Sequence, residues 1–156
     1  MNKKVILVHG YFKTEKDMFA LKTKLEKKSF EVHTINLPLT FKKLKSVMPL
    51  FKAEVEKIIA ETEKGEKINF VGHSTGGLLI RRFLAVTEYK NKIGRIVLIA
   101  APNKGSKLAY FAKKYFRLFT NVFKTLASIE VENVKKLELA AASDFEMAAI
   151  AGNKSN

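Results

Sequence analysis

The residues of this sequence best suited to chemistry lie in one short segment around a serine. Gly72-His73-Ser74-Thr75-Gly76 fits the pattern G-x-S-x-G, directly after the apolar run Ile68–Val71 and before a helical pattern. A serine on a sharp strand-to-helix turn is exposed above the sheet, and glycines two positions away on either side remove colliding side chains. The N–H groups at the start of the following helix favour a developing negative charge. We therefore predict that Ser74 is a nucleophile held in a strained backbone conformation.

A second segment, around His9 and Gly10, is predicted to lie beside the Ser74 turn. His9-Gly10 ends the apolar run Val5–Val8, and the first and third strands of a doubly wound sheet flank the point where ligands bind. Gly10 lets the backbone approach closely, so the N–H groups of Tyr11 and Thr75 could form an oxyanion hole. Phe12 would then border the substrate. His9 itself is predicted to close the buried end of its strand rather than to act in catalysis.

Short apolar runs bounded by Gly or Pro alternate with helical patterns along the whole chain. Runs of this length, rich in Val and Ile, are typical of parallel strands buried on both faces. The alternation predicts the α/β class: a three-layer sandwich around a doubly wound parallel sheet of about five strands, forming one domain over residues 1–156. The predicted strands are Val5–Val8, Glu31–Leu37, Ile68–Val71, Ile96–Ala100 and Phe145–Ile150.

The helices are predicted from apolar stripes and from capping residues. Thr14 caps the first helix, and Pro49 opens a second helix that continues to Gly65. The run from Leu78 to Val86 is apolar on most faces, which predicts a central third helix. A long helical region follows from Ser106 to about Ala142.

Composition limits the function classes. The 156 residues include 29 Lys and Arg against 15 Asp and Glu, a net charge of +14, and no cysteine. The lack of cysteine excludes disulfides and thiolate catalysis. No apolar run approaches the roughly 20 residues of a membrane span, and the apolar start is too short for a secretory signal, so a cytoplasmic domain is expected. The lysines are dispersed, which is typical of a solvated surface, so nucleic acid is not the predicted partner.

One stretch combines basic and aromatic residues. From Lys104 through Ile129 there is no acidic residue, and aromatic and aliphatic side chains recur every three or four positions. This pattern predicts an amphipathic basic helix. Two interpretations stay open for residues of about 104–142: a lid that covers the cleft and contacts an anionic membrane, or a crossover helix that packs on the sheet.

Three motifs together resemble the α/β-hydrolase fold, and most closely its bacterial lipase and esterase branch. They are Val8-His9-Gly10, the segment Val71–Gly77 and the segment Ala101–Ser106. The resemblance implies a serine hydrolase that acts on carboxylic esters, lipids included, through an acyl-enzyme on Ser74, with no cofactor and no metal. It also implies that Tyr11 and Thr75 supply the oxyanion N–H groups. The implied substrate-binding residues are Gly10, Phe12, His73, Pro102 and Asn103.

One feature departs from that family. Along the chains of that family the catalytic residues come in the order serine, then an acid after a later strand, then a histidine. In this sequence no histidine follows Ser74. His73 is predicted to be structural, His33 to lie at the surface, and Asp144 to lie at the wrong end of the sheet. The resemblance therefore predicts a core truncated before the acid and histidine of the triad. The alternative is a non-catalytic binding or membrane-surface protein of the same fold.

The last predicted strand, Phe145–Ile150, would form an open edge of the sheet. A flat edge with little charge invites pairing with another chain. Dimerisation or aggregation through this strand is therefore expected, with a homodimer as the predicted assembly.

Overall fold

A computed structural model describes residues 3–102 and 138–151 of the chain. It contains one five-stranded sheet in which every pair of neighbouring strands is parallel. The strands are β1 (Lys3–Val8), β2 (Phe30–Ile35), β3 (Ile68–His73), β4 (Ile93–Ile99) and β5 (Met147–Ile150). Their order across the sheet is β2-β1-β3-β4-β5. The first and third strands are therefore neighbours, which is the doubly wound arrangement predicted from the sequence.

Helices cover both faces of the sheet. The described α-helices are α1 (Phe19–Glu26), α2 (Leu44–Ala60) and α3 (Thr75–Val86). Val5 and Leu7 of β1 pack on the side of α1, whereas Ile6 and Val8 pack on the side of α2 and α3. Successive residues of a strand point to opposite faces, so the three layers of the predicted α/β sandwich are confirmed. Burial on both faces also explains why the strand sequences are continuously apolar.

The larger core cluster lies between the sheet and the two helices α2 and α3. Phe51 of α2 meets Phe83 of α3 with ring centroids 5.8 Å apart and planes at 78°. Phe83 also lies 6.2 Å from Phe70 of β3. All three rings are fully buried, and the edge-on geometry is one that aromatic pairs prefer. These contacts fix α3 above β3.

The prediction that Pro49 opens the second helix is wrong. The helix begins at Leu44 and includes Pro49 in its interior, and it ends at Ala60 rather than at Gly65. Leu44 and Val47 belong to the same apolar stripe as Phe51 and are buried. Pro49 is exposed, so the burial of its neighbours outweighs the hydrogen bond that a proline removes from a helix.

Two lysines satisfy backbone carbonyls at the other end of α2. Lys4 donates from Nζ to the carbonyl of Glu61 at 2.8 Å. Lys92 donates to the carbonyls of Thr62 at 3.0 Å and Glu63 at 2.7 Å. Cations are favoured at the negative end of a helix, so these contacts tie β1 and β4 to the end of α2.

Several element bounds differ from the predicted ones. β4 begins at Ile93 rather than Ile96, because Gly94 and Arg95 interrupt the apolar run but still belong to the strand. β5 begins at Met147 rather than Phe145, and α3 begins at Thr75 rather than near Leu78. No helix among the described residues is long and apolar enough to cross a bilayer.

Candidate active site

Ser74 is the single residue between β3 and α3. Its backbone has φ 51° and ψ −121°, a region that side-chain-bearing residues rarely adopt and that stores strain. The Ser74 N–H donates to the carbonyl of Ile99 at 2.8 Å, and its carbonyl accepts from the Gly77 N–H at 3.0 Å. The side chain is half-buried. The structure therefore has the strained strand-to-helix turn that the sequence predicts, with Ser74 at its tip.

Glycines at the predicted positions allow this turn to close. A methyl group on Gly72 would lie 2.7 Å from Cα of Gly77. A methyl group on Gly76 would lie 2.6 Å from the carbonyl oxygen of Val8, and it would also collide with the carbonyl oxygen of His9. Gly72 thus closes the turn itself, whereas Gly76 lets α3 pack against the end of β1.

The loop after β1 lies against the serine. A methyl group on Gly10 would lie 2.8 Å from Cβ of Ser74 and 2.9 Å from Nδ1 of His73. The close approach predicted for Gly10 is therefore present. Phe12 follows with φ 59°, and its side chain is 66% exposed. Tyr11 is half-buried, and burial raises the pKa of its hydroxyl.

His9 is fully buried and ties the loop to the rest of the structure. Its Nε2 accepts a hydrogen bond from the Leu37 N–H at 3.0 Å, and its Nδ1 lies 2.9 Å from the carbonyl oxygen of Gly10. Because Nε2 accepts, the proton belongs on Nδ1, which donates to Gly10. A trans peptide points its N–H away from its C=O, so His9 also fixes the direction of the Tyr11 N–H. His9 thus closes the strand end, as predicted from the sequence.

His73 faces a separate small cleft. This cleft of about 300 Å³ is also lined by Lys13 and Asp17. Burial lowers the pKa of His73, and the charge of Lys13 lowers it further. Lys13 donates to Asp17 at 2.9 Å, and this ion pair is a feature that the sequence analysis missed although its i,i+4 spacing was a signal. In the described part of the chain, no hydrogen bond joins His73 to the Ser74 hydroxyl.

Thr75 is the first residue of α3 and is fully buried. Among the described residues its hydroxyl has no hydrogen-bond partner, which is costly for a buried polar group. The loop after β4 touches the same helix end, because a methyl group on Gly77 would lie 2.8 Å from Cβ of Ala101. Pro102 follows directly. Asn103 and most of the basic stretch about 104–142 lie outside the described residues, so neither interpretation of that stretch is tested.

His33 and Asp144 lie away from Ser74, as predicted. His33 belongs to the edge strand β2, where Nε2 lies 2.9 Å from the carboxylate of Glu31. Asp144 lines a groove at the amino ends of the strands, together with Lys3 and Lys67. Ser74 lies at the carboxyl end of β3, so Asp144 is at the other end of the strands. His33 is on β2, two strands away from β3. Neither residue is therefore placed to assist the serine.

Comparison with protein families identifies the group to which this architecture belongs. A family model described as palmitoyl protein thioesterase matches residues 4–143. The chain belongs to the palmitoyl protein thioesterase family. The match includes β1, the Ser74 turn and the segment that precedes β5, so the whole candidate site lies within it. No curated protein matches the chain significantly.

Solved structures with the same fold include bacterial and metagenomic hydrolases. The mature Bacillus licheniformis lipase BlEst2 superposes with a TM-score of 0.83 at 18% identity, covering 99% of this chain and 67% of that one. Phospholipase PlaB from Legionella pneumophila superposes with a TM-score of 0.71 at 18% identity, covering 98% of this chain and 39% of that one. The metagenomic carboxyl esterase MGS0156 superposes with a TM-score of 0.71 at 14% identity, covering 95% of this chain and 49% of that one. These likenesses confirm the α/β-hydrolase fold that the three sequence motifs resemble.

Proposed function

We propose that this chain carries the nucleophile and the oxyanion hole of an ester hydrolase, in which Ser74 attacks the acyl carbon of a carboxylic ester or thioester. The strained Ser74 backbone, at φ 51° with Gly10 packed against it, is the observation that carries the proposal. In the reaction the serine oxygen bonds to the acyl carbon and the alcohol or thiol leaves. Membership of the family supports ester hydrolysis as the reaction class.

The N–H groups of Tyr11 and Thr75 are the proposed oxyanion donors. The bond from His9 to the Gly10 carbonyl turns the Tyr11 N–H away from that carbonyl, and Thr75 stands at the positive end of α3. We expect both N–H groups to converge on the oxygen that becomes negative. One such donor is worth about 3–4 kcal/mol in the transition state.

The general base is the part that the described residues do not supply. A serine hydroxyl needs a base to take its proton. His73 is the nearest imidazole along the chain, but it lies in the cleft with Lys13 and Asp17. The family resemblance places the base on a histidine after a later strand, and these 156 residues contain no histidine after Ser74. We therefore propose that they hold the nucleophile and the oxyanion donors but not the base.

The proposed substrates are esters or lipids whose acyl group enters beside Phe12, Pro102 and Asn103. Lipases and a phospholipase among the structural neighbours support an acyl substrate of this kind. We also propose membrane contact through the basic stretch of residues 104–142, and pairing of two copies through β5. β5 supports the second proposal because it is an outer strand whose Ile150 is 57% exposed.

Labelling with a fluorophosphonate tests the site, since this reagent reacts with an activated serine. We expect slow labelling of the 156-residue chain at Ser74 and none of Ser74→Ala. In well-studied triads, the oxyanion hole and binding alone retain roughly 10³–10⁴-fold over water. Hydrolysis of p-nitrophenyl esters should therefore exceed the uncatalysed rate by no more than that factor, which is far below the rate of a complete triad. Labelling at another residue, or none at all, would favour the alternative of a non-catalytic binding protein.

A further inference from the structure

The loop before α2 and the first half of that helix form an exposed surface of unusual composition. We define the α2 entry surface as Phe41, Lys42, Lys43, Lys45 and Leu50. The side chain of Phe41 is 62% exposed and that of Leu50 is 46% exposed. The three lysines between them are exposed as well. Two large apolar side chains beside three cations at the protein surface make this segment a candidate interaction site.

No negative charge interrupts this surface along the chain. The sequence has no acidic residue between Glu31 and Glu54. The acidic residues of α2 lie in its second half, where Glu56 pairs with Lys52 at 3.6 Å and Glu54 pairs with Lys57 at 2.7 Å. Along the chain, the charged residues of the second half of α2 therefore include both signs, whereas those of its start and of the preceding loop are all lysines.

The start of α2 also lacks the residues that usually stabilise a helix end. Lys43 occupies the N-cap position without a side-chain hydrogen bond, and the first turn holds no acidic residue. A lysine near the positive end of a helix is unfavourable. Residues that destabilise the start of a helix are expected where the positive potential at that end serves to bind a ligand.

An apolar groove opens beside Lys45. It has a volume of about 380 Å³ and lies between α2 and α3. Its apolar lining includes Leu44, Met48 and Leu78. Of its two cations, Arg82 pairs with Glu138 at 3.1 Å, so Lys45 carries the net positive charge of the lining. Hydrocarbon next to a positive charge complements an amphiphile with an anionic head group, which is the chemistry of an anionic lipid.

We propose that the α2 entry surface docks this chain on an anionic lipid bilayer. Phe41 and Leu50 enter the interface, while the lysines contact the lipid phosphates. Large apolar side chains favour a bilayer over nucleic acid, because they gain from leaving water. The loop that carries Phe41 follows β2 and reaches His9 through Leu37, so docking turns the Ser74 end of the sheet toward the lipid. This interaction does not require catalysis and goes beyond the proposed hydrolase.

Vesicle sedimentation tests the proposal. Wild type should bind vesicles of phosphatidylcholine mixed with phosphatidylglycerol, and should bind phosphatidylcholine alone far more weakly. Each lysine near such a surface adds about fivefold in affinity, so the triple variant Lys42→Gln, Lys43→Gln, Lys45→Gln should bind about a hundredfold more weakly. The matched control replaces three exposed lysines at the opposite edge of the sheet and has the same net charge: Lys3→Gln, Lys67→Gln and Lys90→Gln.

The control triple variant should keep nearly all of the affinity. An equal loss in both triple variants would mean that the overall charge binds the vesicle, and it would overturn the proposal. Failure of wild type to bind phosphatidylglycerol vesicles would overturn it as well. Ser74→Ala should bind as wild type does, so a failure of the proposed hydrolysis leaves this test intact.

A second pair of variants tests the apolar contribution. Phe41→Ser with Leu50→Ser should weaken binding at least about tenfold at a salt concentration that screens the lysines. Phe19→Ser is the control, because Phe19 is 47% exposed on α1 but lies outside the surface. Circular dichroism shows that each variant is folded. Unchanged affinity of the folded double variant would contradict insertion of Phe41 and Leu50.

Discussion

Replacing Gly76 by alanine tests whether the packing of α3 against β1 sets the geometry of the site. In most helices this change is favourable by about 1 kcal/mol, because alanine is the better helix former. Here the added methyl group would lie 2.6 Å from the carbonyl oxygen of Val8 and would also collide with that of His9. Both obstacles are backbone atoms at the end of β1, so no side-chain rotation can relieve them.

The magnitude follows from this overlap. Overpacking costs about 1–3 kcal/mol, and a collision with backbone on two sides belongs at the upper end. Subtracting the propensity gain leaves a net loss of about 2 kcal/mol in the free energy of unfolding. At about 2–4 °C per kcal/mol for a chain of this size, Tm should fall by about 4–8 °C. To make room for the methyl group, α3 must move away from the end of β1, and this movement also takes Ser74 away from Gly10. A displacement of about 1 Å at a reacting group can cost roughly 10²-fold in rate.

Thermal unfolding and the rate of fluorophosphonate labelling measure the two effects. Gly77→Ala is the control, because it lies in the same turn and gains the same helix propensity. Its methyl group would collide with one atom only, Cβ of Ala101 at 2.8 Å, because Cδ2 of Leu98 at 3.4 Å and the Gly72 carbonyl oxygen at 3.5 Å are near ordinary contact distance. Gly77→Ala should therefore cost less than Gly76→Ala. The reasoning is refuted if Gly76→Ala is as stable as wild type, or if Gly77→Ala is the more damaging change.

Two further predictions concern the histidines beside Ser74. His9→Ala leaves the Leu37 N–H and the Gly10 carbonyl buried without their partner, which costs about 1–3 kcal/mol for each group. Urea unfolding should therefore show a free energy of unfolding that is lower by about 2–6 kcal/mol. An unchanged midpoint would contradict the two hydrogen bonds. Because burial and Lys13 lower the pKa of His73, the folded state resists protonation, so stability should fall as pH drops from about 6.5 toward that lowered pKa. Lys13→Gln should raise the pKa of His73 in an NMR titration, and an unchanged pKa would exclude the effect of that charge.

The turn around Ser74 could be predicted from sequence because its causes are local. A buried strand, two glycines at fixed distances from a serine and a helix start all lie within about ten residues, and each restricts the backbone directly. The role of Gly10 was predicted for a similar reason, since the order of strands in a doubly wound sheet brings the first and third strands together. The predicted contact then required only that position 10 lack a side chain.

Features that depend on distant packing could not be read in the same way. The start of α2 was placed at Pro49 because proline is a local signal, whereas the burial of Leu44 and Val47 depends on where α3 lies. The acceptor role of His9 Nε2 depends on Leu37, which is 28 positions away. The charge environment of His73 depends on Lys13 and Asp17, which the fold brings to the end of β3.

The sheet register defines where a proton acceptor for Ser74 can enter. His73, Ile99 and Ile150 are register partners across β3, β4 and β5, so these strands end together. Parallel neighbours are about 4.8 Å apart, which places a residue just after β5 about 10 Å from the serine turn. That distance suits a carboxylate and an imidazole joined by two hydrogen bonds.

An aspartate after β5, with a histidine on a following segment, should therefore accelerate fluorophosphonate labelling of Ser74 by orders of magnitude. Such a segment can be taken from one of the structural relatives. The matched control carries the same segment with both residues replaced by alanine, and it should leave the rate unchanged. Ser74→Ala should abolish the gain. Equal rates with and without the two residues would show that the end of β5 is not where the base belongs, and would favour the binding protein over the hydrolase.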